Sequence, residues 1–372
     1  MNQNPNFDFY SFNVSEGEQK SSSSPKESST APSFAPPVRP DDQKLLRARR
    51  AYSRAGWALV AMLAVWYGAT NVVQLLGAVM MPELLKQAWF LFVSGTAPLY
   101  VLGVPAVALI LIGLPREAPK KQRFGAGRLT VAFFIIFTLA VAGNLVGNTV
   151  MTVLGKVTGF EFSNMLLQTL DMPLPLTVLA AVVLAPVFEE LIFRKLLMDR
   201  LLPYGELAAI IFTALMFGLI HANFYQFFYA TAHGALLAYV YVRSGKLWLS
   251  MLLHAMFNLF CGVLPDLLIK QFDLNHFLTI TDETELFTFI FDHFNDFLLL
   301  GMFYMLFYSF AVVGAVLLIV FWKKLKLETR SDEIPRGFRA GVMFGNAGVI
   351  AAIVLCGILF LLYMIATAVP LG

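Results

Sequence analysis

The chain reads as an all-α polytopic membrane protein: a bundle of about eight or nine transmembrane helices behind a disordered N-terminal tail. Three observations carry that reading. Apolar residues make up 58% of the 372 positions and charged residues only 14%, with 35 Phe, a balance outside that of soluble domains. The apolar residues recur in runs of about 20, the length a helix needs to cross a bilayer. Basic residues collect at alternate ends of those runs, as they do in membrane proteins with a fixed orientation.

Residues 1–43 stand apart. The stretch from Ser21 to Pro37 is rich in Ser and Pro and poor in aliphatics, so it cannot bury enough apolar surface to offset its ordering entropy. It has no basic start followed by an apolar core, so it is not a secretory signal. Residues 6–10, Asn-Phe-Asp-Phe-Tyr, read either as part of this tail or as a short docking motif. A basic collar follows at Lys44, Arg47, Arg49, Arg50 and Arg54.

Nine candidate spans come next, at 55–81, 88–113, 129–154, 174–198, 206–222, 223–242, 247–268, 297–322 and 341–369, of which the fifth and sixth are short for a crossing. Positive charge concentrates in 44–54, 116–128, 195–200, 243–246 and 323–339, which are alternate loops of this map. The opposite loops carry Glu83 with Lys86, then Lys156, Glu161 and Asp171, then an acidic stretch from Asp266 to Asp296. The implied orientation is N-terminus in the cytoplasm and C-terminus outside; the expected location is a bacterial plasma membrane. The long loop 265–295 is expected to hold a short surface helix. Cys261 and Cys356 both fall in spans, so neither a disulfide framework nor a Cys-based metal cluster is expected. No nucleic-acid signature is present, and the basic clusters serve topology. Gly301, Gly314, Gly341, Gly345 and Gly348 are expected to permit close helix contact.

Residues 185–194, Ala-Pro-Val-Phe-Glu-Glu-Leu-Ile-Phe-Arg, place three charges inside the fourth apolar run. Charge at membrane depth is costly and faces a bundle interior or a water-filled cavity. Glu190 and Arg194 are four apart and share a helix face, so they can pair. Glu189 is rotated from Glu190 by about 100° and needs another partner or another role. One reading is a buried ion pair that sets helix register. Pro186 frees the carbonyl of Val182 and either kinks the helix or is absorbed by packing.

Two further motifs sit in later runs. Phe217 and His221 are four apart at the end of the fifth, and His254 and Asn258 are four apart early in the seventh. A single His in an apolar helix is ordinarily a packing residue, but these lie with a carboxylate pair. Carboxylate and imidazole can take a proton from water or hold a metal. A second His and an amide can donate to the oxyanion of a tetrahedral intermediate. Asn223 either orients His221 or caps a helix. His233 packs or lines a cavity, Glu206 lies near a membrane face within reach of water, and His276 and His293 are expected to be solvated.

The ordered set E-E-x-x-x-R, F-x-x-x-H and H-x-x-x-N on successive membrane runs resembles the CAAX protease and bacteriocin-processing family of intramembrane endopeptidases, which includes the type II CAAX prenyl endopeptidases. The resemblance covers 174–268 as a protease core, between N-terminal helices at 44–173 and an outer loop with C-terminal helices at 269–372. It implies that Glu189 activates water with His221 as its partner, that His254 and Asn258 stabilise the oxyanion or help hold a metal, and that Glu190 and Arg194 complete the first motif. Phe217 and Asn223 support the site. It leaves two mechanisms open, one with Zn2+ on Glu189, His221 and His254, the other with metal-free activation of water. It implies a membrane-associated peptide or protein as substrate, in peptide maturation or bacteriocin self-immunity. The competing readings are a non-catalytic scaffold built on the same polar network, and a proton-coupled transporter, which the absence of an internal repeat disfavours. A shared site requires His221 to lie within about one helical pitch of Glu189 in depth, so the fifth helix must tilt, bend or start deep.

Overall fold

In the computed structural model, which describes residues 40–164, 172–271 and 274–370, the apolar runs become helices in the expected order. The expected tail lies outside the described residues up to position 39, as does Asp171. Helices α1 (Pro40–Met80), α2 (Ala88–Ile110) and α3 (Ala126–Thr158) precede a short strand β1 (Phe160–Phe162). The motif-bearing helices follow: α4 (Leu174–Tyr204), the hairpin α5 (Glu206–Leu219) and α6 (Phe224–Ser244), and α7 (Leu247–Ile269). Two short helices, α8 (Leu274–Thr279) and α9 (Glu283–Asp292), lead to α10 (Phe294–Phe321), α11 (Arg339–Phe344), α12 (Ala347–Thr367) and strand β2 (Ala368–Pro370). Among the described residues seven helices, α1, α2, α3, α4, α7, α10 and α12, are long and apolar enough to cross a membrane.

Several expected boundaries move, each for a local reason. Helix α1 absorbs the basic collar and opens at Pro40, whose fixed φ suits a first helical position. Ala48, Ala51 and Tyr52 are fully buried, so core packing continues through that collar. Helix α4 runs on past 198, because Met198, Leu201 and Leu202 are buried, and the chain turns only at Gly205, with φ +125°. The last span splits at Asn346, whose side chain accepts from the Val349 N–H and caps α12. The outer loop holds two separate helices, α8 and α9, rather than one. The antiparallel pairing of β1 with β2 is only three residues long, too short to show a period in sequence.

Three spanning helices widen into a π turn just ahead of a proline: Leu99–Gly103 before Pro105, Leu179–Leu184 before Pro186, and Leu259–Val263 before Pro265. Proline has no N–H and crowds the carbonyl one turn back, and a wider turn relieves the crowding. A fourth π segment, Leu191–Met198, carries Arg194 and contains no proline.

Backbone contacts gather the basic loops at one end of the bundle. Glu117 N–H donates to the Asp199 carbonyl at 2.7 Å, Gln122 N–H to Ser244 at 2.9 Å, and Ile334 N–H to Tyr204 at 3.0 Å. Two buried acids anchor that end. Asp199 receives Arg116 and Lys195, each at 3.0 Å, and the Tyr241 hydroxyl at 2.7 Å. Glu206, expected to reach water, is instead buried and paired with Arg243 and, at 2.6 Å, with Arg330. Burial works against the charge of Arg330, yet Glu206 and Glu117 hold its pKa above the ordinary arginine value.

Glycine permits the closest helix approaches. A Cβ on Gly348 of α12 would collide with the Ser53 carbonyl of α1, and one on Gly314 of α10 with the Phe134 carbonyl of α3. Gly345 meets only the backbone of nearby Gly341, while Gly301 and Gly341 face open space, so these three do not serve helix packing. Gly348→Ala is expected to destabilise the protein by about 1–3 kcal/mol in thermal unfolding in detergent. Gly357→Ala, on the same helix with nothing within 4 Å, should leave the midpoint unchanged.

Candidate active site

Helix α4 delivers the three charges of the first motif to different surroundings. Glu190 and Arg194 are both fully buried, with Arg194 Nε 3.0 Å from Glu190 Oε2, a charge pair rather than an aligned hydrogen bond. Arg194 Nη2 also donates to the Gly234 carbonyl of α6 at 3.2 Å, and its guanidinium lies 5.3 Å from the Phe217 ring centre. The other Glu190 oxygen, Oε1, is 3.2 Å from His254 Nδ1. A carboxylate only accepts, so Nδ1 of His254 carries the proton there. Glu189, one residue earlier, keeps 18% side-chain exposure and faces a cavity of about 790 Å³. His254 Nε2 lies 3.8 Å from Glu189 Oε2, so this imidazole stands between the two carboxylates.

His221 lines the same cavity. Helix α5 stops at Leu219, and the chain reverses through Ala222, whose left-handed φ of 55° costs roughly 1–2 kcal/mol in a non-glycine residue. Asn223 resolves as a cap: its side chain accepts from the Gln226 N–H at 2.9 Å and donates to the His221 carbonyl at 2.8 Å. It therefore fixes the backbone of the turn rather than the ring. The ring is set by Nδ1, 2.7 Å from the Phe217 carbonyl. A carbonyl cannot donate, so Nδ1 bears the proton and Nε2 holds a lone pair. Phe217 packs edge-on against His221 at 5.1 Å and against His254 at 5.7 Å, which spaces the two imidazoles around one ring.

The difficulty over depth disappears with the true length of α4. Glu189 lies about 22 Å along α4 from Tyr204, and Leu219 about 20 Å along α5 from Glu206, so both helices reach similar depths from one shared turn.

Asn258 also lines the cavity, and its amide Nδ2 donates to the Ala181 carbonyl at 2.7 Å. In a π turn the residue five ahead would serve that carbonyl, and that residue is Pro186, which has no N–H. Asn258 thus fills a vacancy that proline creates, and its second amide hydrogen is left for other use. His233 lines the cavity, stacked 4.1 Å from Phe257, with neither ring nitrogen partnered among the described residues. His276 pairs with Glu285 at 3.1 Å and His293 with Asp296 at 3.3 Å, near the protein surface.

Tyr100, Asn144 and Asn148 are among the lining residues that escape the sequence reading. Tyr100 of α2 stacks on Phe188 at 4.2 Å and reaches the cavity beside Glu189. Asn144 and Asn148 of α3 are joined by a hydrogen bond of 2.6 Å. Their signal was present: two amides four apart in an apolar run, the spacing that marks His254 and Asn258. Tyr100 had none, because only the packing of α2 on α4 brings it in.

Glu189, His221 and His254 share the cavity, but among the described residues no three His, Cys, Asp or Glu side chains are gathered as a metal ion would require.

A paired carboxylate and two imidazoles stand around a cavity inside the helical bundle, groups able to exchange protons with a bound water. The comparisons agree. The family model described as "Type II CAAX prenyl endopeptidase Rce1-like" matches residues 171–260, which hold all three motifs. A Bacillus subtilis (strain 168) protein described as "Putative membrane peptidase YdiL" is 24% identical over 168 residues, covering 44% of this chain and 68% of that protein. No solved structure matches. Through this core the chain is similar to the CAAX-protease-like membrane peptidases.

Arg194→Met would leave Glu190 buried with one compensating partner fewer, and should cost about 3–5 kcal/mol of stability. The double variant Glu190→Gln/Arg194→Met removes both charges and should recover most of the loss, measured by unfolding in detergent.

Proposed function

We propose that the protein is an intramembrane endopeptidase that hydrolyses peptide bonds with water activated by Glu189 and His221. One observation carries this reading: of two adjacent intramembrane carboxylates, Glu190 is consumed by Arg194 and His254, while Glu189 faces the cavity. Glu189 accepts a proton from a water held between its carboxylate and the His221 Nε2 lone pair. The resulting hydroxide adds to the scissile carbonyl carbon. The oxyanion draws hydrogen bonds from the free amide hydrogen of Asn258 and from His254 when that ring is doubly protonated. The proton taken by Glu189 passes to the leaving amine as the C–N bond breaks, so no covalent acyl-enzyme forms. Phe217 spaces the imidazoles, and Arg194 holds Glu190 charged without drawing on Glu189. No step is routed through a metal.

The substrates on this reading are membrane-associated peptides or the ends of membrane-anchored proteins, in peptide maturation or bacteriocin self-immunity. The alternation of basic loops supports an N-terminus in the cytoplasm and a C-terminus outside, and similarity to the Bacillus subtilis protein supports a bacterial plasma membrane.

The test compares membrane-protein and secreted-peptide termini in the native host between wild type and Glu189→Gln at matched expression. Loss of general-base catalysis should lower cleavage by about 10²–10⁴-fold, with an unchanged melting temperature. Metal chelators should leave wild-type cleavage intact. Identical termini in wild type and variant, with the variant folded and the phenotype retained, would favour the scaffold reading instead.

A further inference from the structure

The cavity is asymmetric along the bundle. On α4 its lining runs from Glu189 back to Thr177, away from Tyr204 at the basic end. On α7 it runs from His254 on to Asp266, away from Leu247, and on α3 it reaches Asn148, beyond the middle of the helix. Burial grades the same way. His254 is 4% exposed and Phe217 2% at the floor, while Leu145, past the middle of α3, is 67% exposed. Asn144 and Asn148 are exposed on that wall. Asn148 Nδ2 donates to both oxygens of Asn144, and the carboxamide groups left over, costly against lipid, are satisfied where the wall meets water.

The basic end, in contrast, is closed. Asp199 with Arg116, Lys195 and Tyr241, and Glu206 with Arg243 and Arg330, lie between the basic loops and the site. The segment after α10 is tied across them by the Glu328 N–H on Glu206 Oε2 at 2.8 Å and the Ile334 N–H on Tyr204 at 3.0 Å. A route to Glu189 from this side would have to break buried ion pairs, and removing one partner of such a pair is strongly destabilising.

We infer that the cavity opens on the face opposite the basic loops, so that substrate peptide reaches Glu189 from the non-cytoplasmic side. The inference rests on the peptidase reading for the role of the cavity and on the loop charges for its side. It assigns as substrates peptides exported to, or displayed on, the outer face of the membrane, and excludes protein tails presented from the cytoplasm.

Cysteine accessibility tests it independently of catalysis. In a Cys261→Ala/Cys356→Ala background, Asn148→Cys reports the mouth, Asp266→Cys, a lining residue near the far end of α7, repeats that report should the first variant fail to accumulate, and Lys121→Cys reports a basic loop. A membrane-impermeant maleimide is applied to intact spheroplasts and again after permeabilisation. Full labelling of the mouth position before permeabilisation, with Lys121→Cys labelled only afterwards, is the expected result. Mouth labelling only after permeabilisation overturns the inference, and so does a mouth position that stays unlabelled in both conditions. Lys121→Cys labelled in intact spheroplasts would reverse the orientation and likewise overturn it. Repeating the set with Glu189→Gln separates the two readings. If cleavage persists in that variant while the labelling pattern is unchanged, the catalytic assignment fails and the sidedness stands.

Discussion

The charge pair of Glu190 with Arg194 is the interaction on which the site depends. An isolated carboxylate inside a bilayer would be neutralised or expelled, whereas a paired one can stay charged in place. The helix itself dictates the pairing, since residues four apart meet on one face. The same geometry turns Glu189 away from Arg194 and into the cavity. The pair also ties helices together, because Arg194 reaches the Gly234 carbonyl of α6 and Glu190 reaches His254 of α7. Charge neutralisation and the assembly of three helices around the cavity are thus one event.

A second constraint is that every backbone group in the hydrocarbon must find a partner inside the protein. Pro186 breaks the ladder of α4, the helix widens, and the Ala181 carbonyl is left without an N–H. Asn258, from α7, supplies the missing donor. A residue that the family resemblance casts as an oxyanion donor therefore also sets how α7 lies against α4. Asn223 plays a comparable double part in the hairpin, capping α6 while holding the His221 carbonyl. Polar side chains near the site spend part of their bonding capacity on backbone that the active-site geometry has disrupted.

The bundle is built differently at its two ends. One carries buried Asp199 and Glu206 with converging Arg, Lys and Tyr side chains, and loops laced over them by backbone hydrogen bonds. The other carries the exposed wall of the cavity. A base closed by buried ion pairs beneath the cavity is what the proposed peptidase reading requires, since it needs a fixed catalytic group.

The sequence by itself determined what depends on local spacing. Apolar runs dictate membrane helices, because backbone hydrogen bonds can be satisfied in lipid only within helices or closed barrels. The four-residue spacing dictates the Glu190–Arg194 pair and the shared faces of Phe217 with His221 and His254 with Asn258, since that geometry belongs to the helix and not to its neighbours. Tertiary structure decided the rest. Which carboxylate His254 would meet, why Asn258 faces Ala181, how far α4 extends before turning, and that Gly348 but not Gly301 touches another helix all depend on residues remote in the chain. Glu206 shows the difference most clearly. Read locally, it is a carboxylate at a helix start beside water; in the fold, guanidinium groups from α6 and from the segment after α10 close over it. Periodicity places a residue on a face, but only packing between distant segments decides what that face meets.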